Sequence, residues 1–292
     1  MLNLKTHTTI ALGYFILAAC LGVLLRSFIS YEIPINYKYI VHTHSHIALL
    51  GWVYVALTTL LYKLFIQTPS ADKTYRKIFW FTQLTLVGML LTFPFQGYAL
   101  FSIFFSTLFL FASYWFFWFF AKYGKREFKQ NISYKCMKWA LWYLVLSSLG
   151  PWALGGIMNT LGADSVWYRL AIYFYLHFQY NGWMMMALFG LFFYVLEQHD
   201  CKLSKNTFNK FLWGINTGII LSFFLSTLFA DPPRLLNVLG GAGAVLQLMA
   251  FGILAMVSIG NGLIWRIKLS PLQNALMKTV AFLLAIKMML QL

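Results

Sequence analysis

Long apolar stretches alternate with short polar connections along the whole chain. Nine of these stretches are each near the ~20 residues that an α-helix needs to cross the ~30 Å hydrocarbon core of a bilayer. Their bounds are 9–29, 38–62, 78–98, 100–121, 139–161, 167–196, 211–230, 235–260 and 271–292. The pattern predicts an all-α fold, a polytopic transmembrane helix bundle of about nine spans in a single transmembrane domain over residues 1–292.

The composition supports a membrane environment. Of the 292 residues, 61% are hydrophobic and only 10% are charged, whereas a soluble domain carries about 25% charged residues. The first stretch is too long for the apolar core of a signal peptide, and no small-residue cleavage site follows it, so we expect no cleavable signal.

The distribution of basic residues predicts the orientation. With the N-terminus in the cytoplasm, 17 of the lysines and arginines fall on the cytoplasmic side and 5 on the outer side, as the positive-inside rule requires. The outer residues are Arg26, Lys38, Arg169, Arg234 and Lys287. We therefore predict a multi-pass protein of a bacterial-type inner (plasma) membrane. The net charge of +15 then reflects topology and contact with the lipid bilayer, not nucleic-acid binding.

Histidines are concentrated where a membrane helix begins. Of the six histidines, His42, His44 and His46 lie within five residues at the start of the second span, and His177 lies inside the sixth. Hydrocarbon cannot satisfy the ring nitrogens, and histidine is the commonest metal ligand in proteins. Because successive residues of an α-helix turn by about 100°, His42 and His46 share one face and His44 points away from both. We predict an intramembrane metal or heme site, with His42, nearest the outer surface, as the candidate for a solvated bystander.

A short sequence pattern occurs twice. Residues 46–52 read His-Ile-Ala-Leu-Leu-Gly-Trp and residues 177–183 read His-Phe-Gln-Tyr-Asn-Gly-Trp, so both match H-x4-G-W and end at Trp52 and Trp183. Both spans run from outside to inside under the predicted orientation, which places both histidines in the outer half of the bilayer. We expect a site shared between His46 and His177. The pattern is either a structural repeat or a coincidence in a chain rich in Trp and Gly.

Further polar residues fall at the same predicted depth. The predicted helical face of His177 carries Tyr180 and Asn181, with Gln179 just off it, and such groups need partners in the membrane. Gln96 ends the third span and Asn159 lies near the end of the fifth. Together with the two tryptophans they are the candidate cofactor-binding residues. For a lone membrane histidine, interhelical hydrogen bonding is the alternative role.

The stretch His-Thr-His-Ser-His-Ile-Ala-Leu-Leu-Gly-Trp-Val at 42–53 resembles the second helix of proteins related to heme–copper oxidase subunit I. It is also similar to the H-x-H helix of the NnrS family, which are heme- and copper-associated membrane proteins linked to nitric-oxide stress. The resemblance implies that a histidine of this helix is an axial ligand of a b-type heme, and that His177 corresponds to the sixth-helix copper ligand of the oxidases.

The chain lacks several features of those oxidases. The H-P-x-V-Y pattern around His177, the adjacent histidine pair of the seventh span and the tenth-helix H-x-H pair are all absent. The resemblance therefore implies a reduced relative with one heme or one metal.

The sequence leaves three functional interpretations. The first is a membrane protein that binds heme b or copper, or another transition metal, through His42, His44, His46 and His177, with redox or diatomic-gas chemistry, an oxidoreductase activity, and a membrane redox partner or quinone. The second is a transporter or small-molecule channel with a His/Gln/Asn cavity and no metal. The third is a structural subunit beside a respiratory complex.

No acidic residue lies within a membrane core, which argues against a carboxylate proton relay. Catalytic residues and oligomeric state stay unassigned.

Overall fold

The computed structural model describes residues 2–201, 203–260 and 269–290, and these residues form helices and short connections without a strand. Nine long helices are present among them. They are α1 (Lys5–Ser27), α2 (Tyr37–Phe65), α3 (Pro69–Gln96), α4 (Leu100–Tyr123), α5 (Ile132–Thr160), α6 (166–198), α7 (Lys205–Ala230), α8 (Arg234–Gly260) and α9 (Pro271–Met289). The predicted all-α polytopic bundle is confirmed, and each predicted span falls on one of these helices.

Eight of the described helices are long and apolar enough to cross a membrane. The helix outside this set is α6, whose His177, Gln179 and Asn181 lower its mean hydropathy. The predicted orientation stays a prediction. Three of the basic residues that entered the predicted orientation lie outside the described residues: Lys202, Arg266 and Lys268. The last two residues of the ninth predicted span, 291–292, lie outside them as well.

The chain divides into two compact units, Met1–Lys129 and Gln130–Leu292. Unit 1 contains α1 to α4 and unit 2 contains α5 to α9. The single transmembrane domain stays a prediction.

Unit 1 has an aromatic and hydroxyl-rich interior. In it, α3 packs along α4, and α1 packs against the middle of α2. The rings of Tyr62 and Tyr75 stack with their centroids 3.7 Å apart. The Tyr75 hydroxyl bonds Thr59 Oγ1 at 3.1 Å, and the Tyr62 hydroxyl donates to the Asp72 carboxylate. These bonds tie α2 to the first turns of α3.

Unit 2 is held by close helix approach. A Cβ added to Gly218 of α7 would lie 2.8 Å from the carbonyl oxygen of Gly243 in α8, and one added to Gly243 would lie 2.4 Å from Ser222 N. Small residues allow such backbone contact between membrane helices. Gln247 Nε2 adds hydrogen bonds to Gly218 O at 3.2 Å and Ser222 Oγ at 2.6 Å. Helices α7 and α8 therefore form one tightly packed pair.

Candidate functional site

Both H-x4-G-W patterns coincide with a rare backbone form. Residues Ile47–Tyr54 of α2 and Phe178–Met184 of α6 are π-helical, and the residues directly before them are His46 and His177. Such segments usually occur as single turns inside α-helices and are frequent at functional sites. Each motif lies in the second helix of its unit.

The glycine of each motif meets a tyrosine of the preceding helix. A Cβ added to Gly51 would lie 3.0 Å from the ring of Tyr14 in α1, and one added to Gly182 would lie 2.5 Å from the ring of Tyr143 in α5. In both units the absence of a side chain lets the aromatic ring press against the π-helical backbone.

The histidine of each motif also has a matching neighbour in the following helix. The ring centroid of His46 lies 4.4 Å from that of Phe93 in α3, and the centroid of His177 lies 5.5 Å from that of Phe223 in α7. Three local features thus coincide in the two units, and the structural repeat stays a prediction.

The histidines of α2 face two neighbours, as the α-helical spacing predicts. His44 Nδ1 lies 3.0 Å from Ala18 O of α1. His46 Nδ1 lies 2.8 Å from His42 O. A carbonyl oxygen only accepts, so each Nδ1 is the protonated donor and each Nε2 carries a lone pair. Metal-ligating histidines are oriented in this way by a partner on the other ring nitrogen.

His44 borders an open cavity of about 570 Å³ beside the last turns of α1. Gly22, Arg26, Phe28 and Tyr37 line the same cavity. A Cβ on Gly22 would lie 3.3 Å from His44 Cε1, so the glycine gives the imidazole its place against α1. The cavity combines an imidazole, a guanidinium and aromatic walls.

His42 and His46 lie in an aromatic enclosure. The ring of His42 lies 4.6 Å from that of Tyr98, in an edge-on arrangement. The ring of His46 lies against Phe93 and 5.9 Å from Tyr98. All three α2 histidines are half-buried, so the half-burial of His42 does not distinguish it as the bystander.

His177 has partners on both ring nitrogens. Its Nε2 lies 2.8 Å from Ile219 O, so this nitrogen donates. Its Nδ1 accepts from Asn181 Nδ2 at 3.2 Å and faces Ser226 Oγ at 3.1 Å. Metal ligation by either nitrogen requires at least one of these bonds to break. Ligation by His177 stays a prediction, and the geometry is that of an interhelical hydrogen-bonding group.

The π segment changes which side chains accompany His177. Tyr180, predicted to share its face, is 46% exposed, whereas Gln179 is buried and donates from Nε2 to Ser147 Oγ at 3.0 Å. A π turn is wider than an α turn, so residues within it are displaced from the faces that α-helical spacing assigns. Asn181, predicted to share the same face, bonds His177, and the place of Tyr180 on that face stays a prediction.

The four remaining predicted site residues make local contacts or are buried: Gln96, Asn159, Trp52 and Trp183. Gln96, with its amide oriented to suit its neighbours, accepts from Ser102 N at 3.0 Å at the start of α4. Asn159 is exposed and bonds Gly155 O of its own helix at 2.7 Å. The Trp52 ring lies 4.5 Å from that of Phe15, and Trp183 is fully buried.

Two residues near these sites were not predicted as site residues. Lys287 Nζ of α9 donates to Asn181 Oδ1 at 2.5 Å, and Arg26 borders the His44 cavity. A cationic residue inside or at the end of an apolar span is the signal that points to such positions. In the sequence, Lys287 and Arg26 entered only the prediction of orientation.

Among the residues that the structure describes, no group of three or more His, Cys, Asp or Glu side chains is arranged to hold a metal ion. No protein-family model matches the chain, and neither a curated protein nor a solved structure matches it.

Proposed function

We propose that the chain is a multi-pass membrane protein that binds heme through a histidine of α2 and takes part in redox or diatomic-gas chemistry. The observation that carries this proposal is the orientation of His44 and His46. Each ring is held by a backbone carbonyl on Nδ1, so Nε2 is the nitrogen that would hold the heme iron. The proposal includes a bacterial-type inner membrane and a cytoplasmic N-terminus.

The donor set favours heme over a bare copper ion. A porphyrin brings four nitrogen ligands of its own, so the protein needs to add only one or two. A transition-metal ion held by protein alone commonly needs three or four side chains, and the described residues offer no group of three. Copper or another transition metal is therefore the second cofactor to test.

Of His44 and His46, His44 is the better placed to hold heme. The cavity beside it, about 570 Å³, falls within the ~300–1,000 Å³ typical of cofactor sites. Arg26 on its rim is suited to a carboxylate, such as a heme propionate, while Phe28 and Tyr37 offer apolar walls. Bound heme would supply a redox-active iron with a position for a gas molecule. The role of the chain is to orient the imidazole and to exclude water on one side.

Absorption spectra of the purified, heme-supplemented protein test this proposal. We expect a Soret band and stoichiometric iron in the wild type and in His177→Ala, and loss of the band in His44→Ala, with recovery when free imidazole is added. His46→Ala tests the second ligand. His199→Ala is the matched control, since that histidine directly follows α6 and is not among the residues that line the His44 cavity.

A wild-type protein without a Soret band and without stoichiometric iron, copper or zinc would refute heme and metal binding together. Retention of the band in both α2 variants, with loss in His177→Ala, would contradict the assignment to α2. Helical content by circular dichroism separates loss of ligand from loss of fold.

One observation favours the transporter or channel alternative. The network Lys287–Asn181–His177–Ser226, which is buried at Asn181 and His177, joins α9, α6 and α7. Buried polar groups in membrane helices mark solute or ion pathways. Proton or solute flux into vesicles that depends on Asn181, in a protein free of chromophore and metal, would support this function instead.

A further inference from the structure

A second large depression lies in unit 2, and none of its described lining residues is a histidine. It is a groove of about 590 Å³ along α5, with Leu212 and Ile220 of α7 on its other side. Along α5 it is bordered by Lys135, Lys138, Trp139, Trp142 and Leu146. We call it the α5–α7 groove.

The groove has one charged end and an apolar shaft. Lys135 and Lys138 lie in the first two turns of α5, at the end that the orientation predicts to be cytoplasmic. None of its described lining residues is acidic. The shaft consists of tryptophan, leucine and isoleucine side chains, and Trp142 is 50% exposed. The groove is therefore complementary to a lipid that has an anionic headgroup at one end and a hydrocarbon tail along the rest.

The length of the whole groove, with its charged end included, is close to the thickness of one leaflet. From Lys135 to Leu146 the helix advances eleven residues, or about 16 Å at ~1.5 Å per residue. Half of a ~30 Å hydrocarbon core is about 15 Å. The groove thus runs from headgroup depth to about the bilayer midplane.

The floor of the groove is fixed by a hydrogen bond between its two walls. The Tyr143 hydroxyl donates to Asn216 Oδ1 at 2.9 Å, linking α5 to α7. The other side of the Tyr143 ring is packed against Gly182. A preformed groove costs a ligand less ordering than one that must open.

We propose that the α5–α7 groove binds one anionic phospholipid of the cytoplasmic leaflet. Its phosphate lies at Lys135 and Lys138, and one acyl chain lies along Trp142 and Leu146. Basic pockets between membrane helices on the cytoplasmic side recognise such headgroups. The site is distinct from the proposed heme site, and its test does not depend on heme.

Native mass spectrometry of protein released from phosphatidylcholine nanodiscs, with and without phosphatidylglycerol, tests the proposal. We expect the wild type to retain one phosphatidylglycerol molecule. Each lysine contributes about a fivefold gain in affinity for an anionic headgroup, so the double variant Lys135→Gln/Lys138→Gln should bind about 30-fold more weakly. The matched control is Lys205→Gln/Lys210→Gln, which removes the same charge from the start of α7 outside the groove.

A second variant separates shape from charge. Leu146→Trp keeps both lysines and fills the shaft, and we expect it to lose the retained lipid while its helical content in phosphatidylcholine stays that of the wild type. Equal retention by the wild type and the double variant overturns the proposal. A neutral isoprenoid quinone retained in place of phosphatidylglycerol, with or without the lysines, overturns it as well.

Discussion

The contact between Gly182 and Tyr143 predicts a measurable loss of stability in Gly182→Ala. The added methyl would lie 2.5 Å from Tyr143 Cγ and 2.6 Å from its Cβ, about 1 Å inside the ~3.5–4.0 Å optimum for carbon atoms. These atoms lie next to the backbone, so rotation of the ring cannot relieve the clash and the helices must separate. Overpacking of this kind costs about 1–3 kcal/mol, which exceeds the ~1 kcal/mol that alanine gains over glycine in a helix.

Reversible unfolding in mixed detergent micelles measures this cost. We expect the free energy of unfolding to fall most in Gly182→Ala and less in Gly51→Ala, where the nearest ring atom is 3.0 Å away. Gly155→Ala, with no atom within 4 Å of the new methyl, should be neutral or stabilising. If Gly182→Ala is as stable as Gly155→Ala, the close approach of α6 to α5 is refuted.

Three further substitutions test other contacts, two of them by the same unfolding assay and one by limited proteolysis. Gln247→Leu removes two hydrogen bonds to α7 and should lower the free energy of unfolding by about 1 kcal/mol, a result that an unchanged value would contradict. Lys287→Met removes the bond to Asn181 and should increase protease cleavage near α9, whereas Lys278→Met in the same helix should not. Tyr62→Phe removes a hydroxyl bonded to a carboxylate and should destabilise unit 1 by about 1–3 kcal/mol.

The helices could be predicted from the sequence, and so could the placement of His44 and His46 on different faces of α2. Long apolar runs have few solutions in a bilayer, since only a helix satisfies every backbone group within the segment. The divergent directions of His44 and His46 follow from α-helical geometry because residues Tyr37–His46 are α-helical.

The surroundings of His177 could not be predicted. They depend on a π segment, and π-helices have no strong sequence signature, so the α-helical spacing did not predict the exposure of Tyr180. Its partners Ile219 O and Ser226 Oγ come from another helix. Such tertiary contacts produce no periodic pattern in the sequence from which they could be predicted.

The paired π segments have an evolutionary consequence. A π turn contains one residue more than the α turn it replaces, so deleting a single codon within Ile47–Tyr54 or Phe178–Met184 would restore a regular α-helix. Everything before the deletion would then rotate by about 100° relative to everything after it. A deletion between the histidine and the tryptophan of a motif would therefore change the direction of one side chain relative to the other. In distant homologues, a one-residue gap at this position would mark lineages that have abandoned the arrangement.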